Sequence, residues 1–543
     1  MNDRIALLAS FTLLGLWSTM GAAAEWTAGG GININSLYTT NACRSASDEQ
    51  GQGGVTITPN LGLRGEGGRA RLALLAGLQY NSLADNDDLD CATRIDLIPG
   101  GGGGGVNAGR GDAEAIVPRL NFTSEVDAIE NFLVLEANAF ASQNAINPFT
   151  TGGDDNVNGV NNTNITYRWG VGGRIDRVYS DSWRTLVRYL YNEQYNSVDT
   201  LFGDSQENRV DLDIGQLPGS QRLTFAAIGN YSEVTFSETD LRPESTNRLS
   251  RIALRSVLQL DRSWQATASY GQEDNAFLSA SSEIDGTFWD AGIRWAPSSR
   301  VNFEAGYGER FFGNTPRFSA FYRHKRSTFR AQYLRSLQFP RNIRGTDGVF
   351  DPDDPLGPDG GGTTNPGADA PTFVGQGPVQ NEVLAFIYSF SARRTRFAFN
   401  ARYSEQTRSL DATQSEFINL TANANRRLGP SLSLVLNGSY IQNSGVFDAE
   451  EVQVRQGRET WRGSIGLNRR LANRASVFVR YEYLEQFNEV ADDMAGGFNE
   501  FTEHRILLGV RFSFGRQPGR GFGGGGIGGG FGRSGGGFGG GGR

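Results

Sequence analysis

The chain has two histidines, and neither sits where an imidazole does catalysis. His324 stands among Arg323, Lys325 and Arg326, and His504 opens a strand-like stretch. No serine forms a nucleophile elbow for either, so hydrolase chemistry has little support. Arginine is the residue type that recurs with a spacing. Arg184, Arg188, Arg251, Arg255, Arg294, Arg323 and Arg330 form its first part, and Arg396, Arg402, Arg462, Arg480, Arg505 and Arg511 continue it. They alternate with Asn, Ser, Thr and Gln, as in Asn419, Thr421, Asn423 and Asn425. A guanidinium holds carboxylates and phosphates through two parallel hydrogen bonds. A surface built this way could pass small anions or an anionic polymer. The same arginines could instead pair with Glu304, Glu482 and Asp290 as a structural network. The sequence leaves both open.

Other chemistry is sparse. Cys43 and Cys91 are the two cysteines, and both fall in stretches read as loops. In an oxidising compartment they could bridge, or they could stay as two unpaired loop thiols. Two cysteines without a nearby histidine do not complete a zinc shell. The acidic stretches 85–90, 351–354, 448–451 and 492–493 could bind calcium, but solvated outer loops are the favoured reading. GEGGR at 65–69 and GYGERFFG at 306–313 look like phosphate loops, yet no helix follows either one. No cofactor is expected. The formal charge of −8 argues against nucleic acid as a partner.

The elements that must carry these arginines are strands. Trp289, Ala291, Ile293 and Trp295 fall on one face, with Asp290, Gly292 and Arg294 on the other. After Pro297 the alternation restarts with Val301, Phe303, Ala305 and Tyr307. It restarts again with Phe318, Ala320 and Tyr322 opposite Arg317, Ser319 and Arg323. Side chains alternate across a strand with period two. Apolar aromatics on one face and arginine on the other predict lipid outside and a polar lumen inside. The mean hydropathy of −0.40 does not contradict this, because only half of each strand is apolar.

The expected fold is therefore all-β: a transmembrane antiparallel up-and-down outer-membrane β-barrel. Residues 1–24 read as a signal peptide, with Arg4, an apolar core and Ala22-Ala23-Ala24 before Glu25. Residues 25–514 read as the barrel, with about twenty-two strands, short turns on one side and long polar loops on the other. Short turns on the periplasmic side place both termini in the periplasm. The strand pattern starts almost at Glu25, so no plug domain is expected ahead of it. Any plug must come from loops, and the stretches 85–111 and 339–380 are the candidates. Ile506, Leu508, Val510, Phe512 and Phe514 give the last strand one apolar face. Such a strand ending in phenylalanine resembles the signal read by the barrel-assembly machinery. Residues 515–543 read as a Gly-rich disordered periplasmic tail.

Several stretches carry a family likeness. They are Trp26 with its strand, FLVLEANAFASQNAINP at 132–148, SYGQEDN at 269–275, GTFWDAGIRWAPSSR at 286–300 and ERFFGNT at 309–315. On these the chain resembles the PEP-CTERM system-associated outer-membrane protein family. The resemblance implies a Gram-negative outer-membrane barrel accompanying exosortase and exopolysaccharide machinery. It supplies no catalytic residues. The function expected from it is a conduit or scaffold in exopolysaccharide export or envelope assembly. The alternative is a structural or receptor-like barrel whose loops plug the lumen. Expected partners are outer-membrane lipid, the barrel-assembly machinery, an anionic polysaccharide and periplasmic export proteins.

Overall fold

A period-two pattern fixes which face a side chain takes, and the backbone must then find hydrogen bonds on both strand edges. The computed structural model shows how this chain finds them. It describes residues 25–44, 49–83, 116–144, 164–179, 182–197, 203–217, 220–239, 243–281, 283–339, 377–449, 452–472, 474–490 and 500–515. The expected signal peptide, Cys91, most of the tail, the whole of 85–111, most of 339–380, and the acidic stretches 351–354 and 492–493 lie outside them.

The strands run in chain order as β1 (Glu25–Thr39), β2 (Gln52–Glu66), β3 (Ala70–Leu83), β4 (Ile116–Ile129), β5 (Leu133–Asn144), β6 (Asn164–Tyr179), β7 (Trp183–Asn196) and β8 (Ser205–Gln216). Then come β9 (Leu223–Phe236), β10 (Ser245–Gln259), β11 (Trp264–Glu273), β12 (Gly286–Ser298), β13 (Val301–Arg310), β14 (Gly313–Asn314), β15 (Arg317–His324) and β16 (Ser327–Gln338). The rest are β17 (Val379–Ser391), β18 (Thr395–Arg408), β19 (Gln414–Arg427), β20 (Leu432–Ala449), β21 (Val452–Ala472), β22 (Ala475–Val490) and β23 (Phe501–Gly515). β14 is a stub of 2 residues against β13, so the wall is a closed antiparallel barrel of 22 strands. The expected fold class is the observed one.

Closure falls between β1 and β23. Gly29 through Thr39 pair with Gly515 through Arg505. The seam is tied at its loop-side end by Glu503, which is fully buried. Its carboxylate accepts from the Thr39 hydroxyl at 2.5 Å and the Arg44 Nε at 3.2 Å, and Arg505 adds a third donor. Beside Arg44, Cys43 is buried and disulfide-bonded. The chain's other cysteine is Cys91.

Inside the same seam, Leu37, Phe478 and Leu507 form a small apolar cluster. The Phe478 ring lies over Gly509, its cross-strand partner. A Cβ on Gly509 would meet that ring at 1.9 Å, so only glycine lets the ring lie flat there.

The outward face is apolar as the alternation requires. Ile506, Leu508, Phe512 and Phe514 are all exposed on it, and Val510 shares their register. Trp264 stacks on Trp295 with ring centroids 5.8 Å apart at the short-turn end. His504 stands near the loop-side end of this face, hydrogen-bonded through Nδ1 to the Tyr481 hydroxyl at 2.7 Å. His324 lies against Tyr322 at the short-turn end.

The strands run further toward the loop side than the alternation suggests. β20 continues to Ala449, which pairs with Val452, and Asp448 pairs with Gln453. The expected open acidic loop at 448–451 is therefore corrected: Asp448 belongs to a ladder. Backbone pairing extends the hairpin past the point where apolar alternation fades.

Two outcomes follow for the fold. Gly509→Ala lowers stability by about 1–3 kcal/mol through overpacking against Phe478, and Phe478→Ala in the same chain restores part of it. Leu508→Arg, at the middle of β23 on the lipid face, costs about 2–4 kcal/mol. Urea unfolding of the refolded barrel in lipid vesicles, read by Trp fluorescence, measures both.

Candidate functional site

The lumen wall is where the chain's chemistry collects. The structure places Arg184, Arg188, Arg251, Arg255, Arg294, Arg323 and Arg330 on the inward register. Arg396, Arg402, Arg462, Arg480, Arg505 and Arg511 share it. Their partners divide them into distinct groups.

On β4 to β13 the arginines meet carboxylates. Glu136 on β5 sits between Arg174 and Arg188, accepting from both. Arg188 Nε reaches it at 2.8 Å, and Arg174 also touches Glu125 at 3.3 Å. Arg184 pairs with Asp176, and Arg255 with Asp213 at 2.9 Å. Arg251 donates to Asn230 at 2.9 Å and lies over the Phe288 ring. Arg310 reaches the buried Glu273 at 2.6 Å. Arg317 pairs with Asp290 and approaches Glu304 at 3.6 Å. Further round, Arg480 binds Glu482 at 3.0 Å. These pairs use the wall's own carboxylates, which leaves those guanidiniums less available to a passing anion.

From β17 to β21 the inward wall turns to amides and hydroxyls. Ser404 donates to Asn381 at 2.8 Å, and Asn437 donates to Ser464 at 3.0 Å. Arg402 stands opposite Asn419, and Arg462 opposite Ser439. Arg323, Arg330 and Arg396 form another group. They are exposed toward the short-turn end, and Arg330 lies over the Phe321 ring. Arg294 donates to Asn302 at 2.9 Å.

Sequence reasoning named Asp290, Glu304 and Glu482 as the acidic side of this network, and all three are paired, but it missed the buried glutamates. Glu136, Glu207, Glu273 and Glu503 are all nearly or fully buried inside the wall. Their signal was present: a glutamate on the polar register of an otherwise apolar strand, as in Leu135-Glu136-Ala137. Among the described residues no group of three or more His, Cys, Asp or Glu is placed to hold a metal ion.

The loop-side mouth is crossed by contacts between distant strands. Phe339, directly after β16, is 1% exposed and packs with Val234 and Phe236 on the inward face of β9, beside Leu249 of β10. The Ala280 amide, between β11 and β12, donates to the Ser409 carbonyl beyond β18 at 2.8 Å. The 409–413 turn is itself fixed by Asp411. That carboxylate accepts from the Thr413 amide at 3.1 Å, the Thr413 hydroxyl at 2.8 Å and the Arg408 Nε at 3.0 Å. Burial works to raise the Asp411 carboxyl, but the Thr413 hydrogen bonds and the Arg408 charge outweigh it and hold it below the ordinary aspartate range.

A closed 22-strand wall with an apolar outside and a polar, ion-paired inside is an outer-membrane β-barrel. Solved structures agree in fold. A mutant of the ferric enterobactin receptor from Pseudomonas aeruginosa, in complex with enterobactin, matches with TM-score 0.50 at 12% identity, over 91% of this chain and 82% of that one. A siderophore receptor from Acinetobacter baumannii matches with TM-score 0.48 at 9% identity, over 90% and 80%. The FrpB iron transporter from Neisseria meningitidis matches with TM-score 0.45 at 11% identity, over 90% and 82%. At these identities the likeness is one of fold. Neither a protein-family model nor a curated protein matches the sequence.

Two measurements probe the wall and the mouth. Glu136→Ala leaves Arg174 and Arg188 without their shared carboxylate and costs about 2–3 kcal/mol, less than a fully buried pair because both arginines keep some water. Urea titration reads the loss. The Asp411 anchor contributes stability at neutral pH, and that contribution is lost as pH falls through its depressed value, below the ordinary aspartate range. Asp411→Asn removes it at every pH. Protease cleavage within 409–413, followed against pH, separates the two chains.

Proposed function

We propose that the chain is a receptor-like or scaffold barrel of the outer membrane, with its lumen closed on the loop side by its own loops and both termini in the periplasm. The observation that supports this best is Phe339. A phenylalanine at the end of β16 that packs against β9 draws the chain inward across the mouth rather than outward into solvent. The Ala280–Ser409 hydrogen bond runs across another part of the same mouth. The paired arginines fit the same reading, because a wall neutralised by its own carboxylates is a structural lining.

A second reading is a conduit for an acidic polymer in exopolysaccharide export, in line with the PEP-CTERM-associated resemblance. One observation favours it: Arg323, Arg330 and Arg396 face inward near the short-turn mouth, and no acidic side chain pairs with them among the described residues.

Single-channel recording of the refolded barrel in a planar bilayer distinguishes the two. The closed reading expects little or no current from the intact chain and open-channel current after deletion of residues 351–372. Large anion-selective current from the intact chain, blocked by an acidic polysaccharide and reduced by joint replacement of Arg323, Arg330 and Arg396 with Gln, would establish the conduit instead.

A further inference from the structure

Charge on this barrel is distributed unevenly around its short-turn rim. The turns at 296–300, 323–327, 391–396, 425–432 and 468–476 contain no aspartate or glutamate. They do contain arginine and lysine in adjacent pairs: Lys325 with Arg326, Arg393 with Arg394, and Arg426 with Arg427. Arg469 with Arg470 continues the series. All of these are exposed. None has an ion pair or a side-chain hydrogen bond among the described residues. The arc they occupy runs without a break from β12 to β22. The remaining short turns, apart from 217–222, each carry an acidic residue, and charges pair there, as in Arg64 with Glu66 and Arg69 with Glu130 at 2.7 Å.

The net charge of the chain is −8, so this arc runs against the chain's own balance. Like charges gathered without counter-charges repel one another and need an external anion to offset them.

Two features decide what that anion is. The first is depth. Phe390 and Phe397, on the outward register, flank the 391–396 turn, and Trp295 and Tyr322 end the lipid face just before 296–300 and 323–327. At about 3.3 Å per residue, the guanidiniums lie within about 10 Å of that aromatic belt. This is the depth of phospholipid headgroups. The second is direction. Arg426 continues the outward register of Leu420, Ala422 and Ala424, and Arg469 continues that of Ile465 and Leu467. Outward-register cations at a strand end face the bilayer, not the mouth, which a soluble acidic partner would have to use.

We infer that the β12–β22 arc is a binding surface for the phosphate headgroups of anionic glycerophospholipids in the leaflet at the short-turn side. The barrel therefore carries a lipid annulus enriched in acidic lipid on one half of its circumference and not on the other. The long arginine stems lie along the apolar belt while their heads reach the phosphates.

The test uses the full chain reconstituted in phosphatidylcholine vesicles with trace spin-labelled lipid. Electron paramagnetic resonance reads how much labelled phosphatidylglycerol or phosphatidylcholine is motionally restricted by the protein. The expected result is an association constant about five-fold higher for phosphatidylglycerol, the factor that about one surface cation contributes. Added salt should diminish it. A variant with Arg393→Gln, Arg394→Gln, Arg426→Gln and Arg469→Gln should bring the ratio toward one. A control with Arg69→Gln and Arg222→Gln, on the other half of the rim, should keep it. Migration as a folded barrel in unheated gels shows that each variant has closed. Equal association of the two lipids with the parent chain overturns the inference and leaves the arc to an acidic soluble partner. A preference that survives the four substitutions also overturns it.

Discussion

Everything in this structure depends on one requirement: a sheet that spans hydrocarbon cannot have an edge. Each unpaired N–H or C=O there costs several kcal/mol. The chain meets the requirement once, where β23 returns to β1. This is also its longest-range pairing, and the entropy of closing such a loop must be overcome before the ladder forms. Chemistry is concentrated at that seam accordingly. Glu503 gathers three donors at the loop-side end, and Phe478 fills the space that Gly509 leaves.

Inside the wall, the dominant effect is charge neutralisation. A wide lumen must be polar, and arginine satisfies that with long side chains that reach neighbouring strands. Arg188 on β7 reaches Glu136 on β5 across β6, and Arg255 on β10 reaches Asp213 on β8 across β9. Such pairs tie next-nearest strands together, which backbone ladders do not do. The cost is chemical: a guanidinium already held by two carboxylate oxygens has little left for a solute. What the wall leaves open to other molecules is the mouth and the rim.

How much of this the sequence disclosed depends on range. Alternation at Trp289–Trp295 and Ile506–Phe514 assigned faces without any tertiary information, because period two is local. Pairs on one strand were within reach of the same logic, as with Arg480 and Glu482. Pairs across strands were not, since they depend on register, and register depends on turn lengths read only approximately. The hairpin through Asp448 was missed for a related reason: its ladder outlasts its apolar pattern. Phe339 was beyond any local reading. Nothing in Leu337-Gln338-Phe339-Pro340 says that the phenylalanine will meet β9.

On the proposed closed reading, that last contact sets the terms on which the mouth can open. Withdrawing Phe339 returns its ring to water and strips cover from Val234 and Phe236. Re-exposing one such side chain costs about 3 kcal/mol at the upper end of the usual range. An equilibrium with that gap holds about one molecule in 150 open at rest. A ligand that is to keep the mouth open must therefore prefer the open form by more than that ratio, and ligands binding both forms equally leave it shut. On that reading, one ring against one strand sets a threshold that weak or indifferent solutes do not cross.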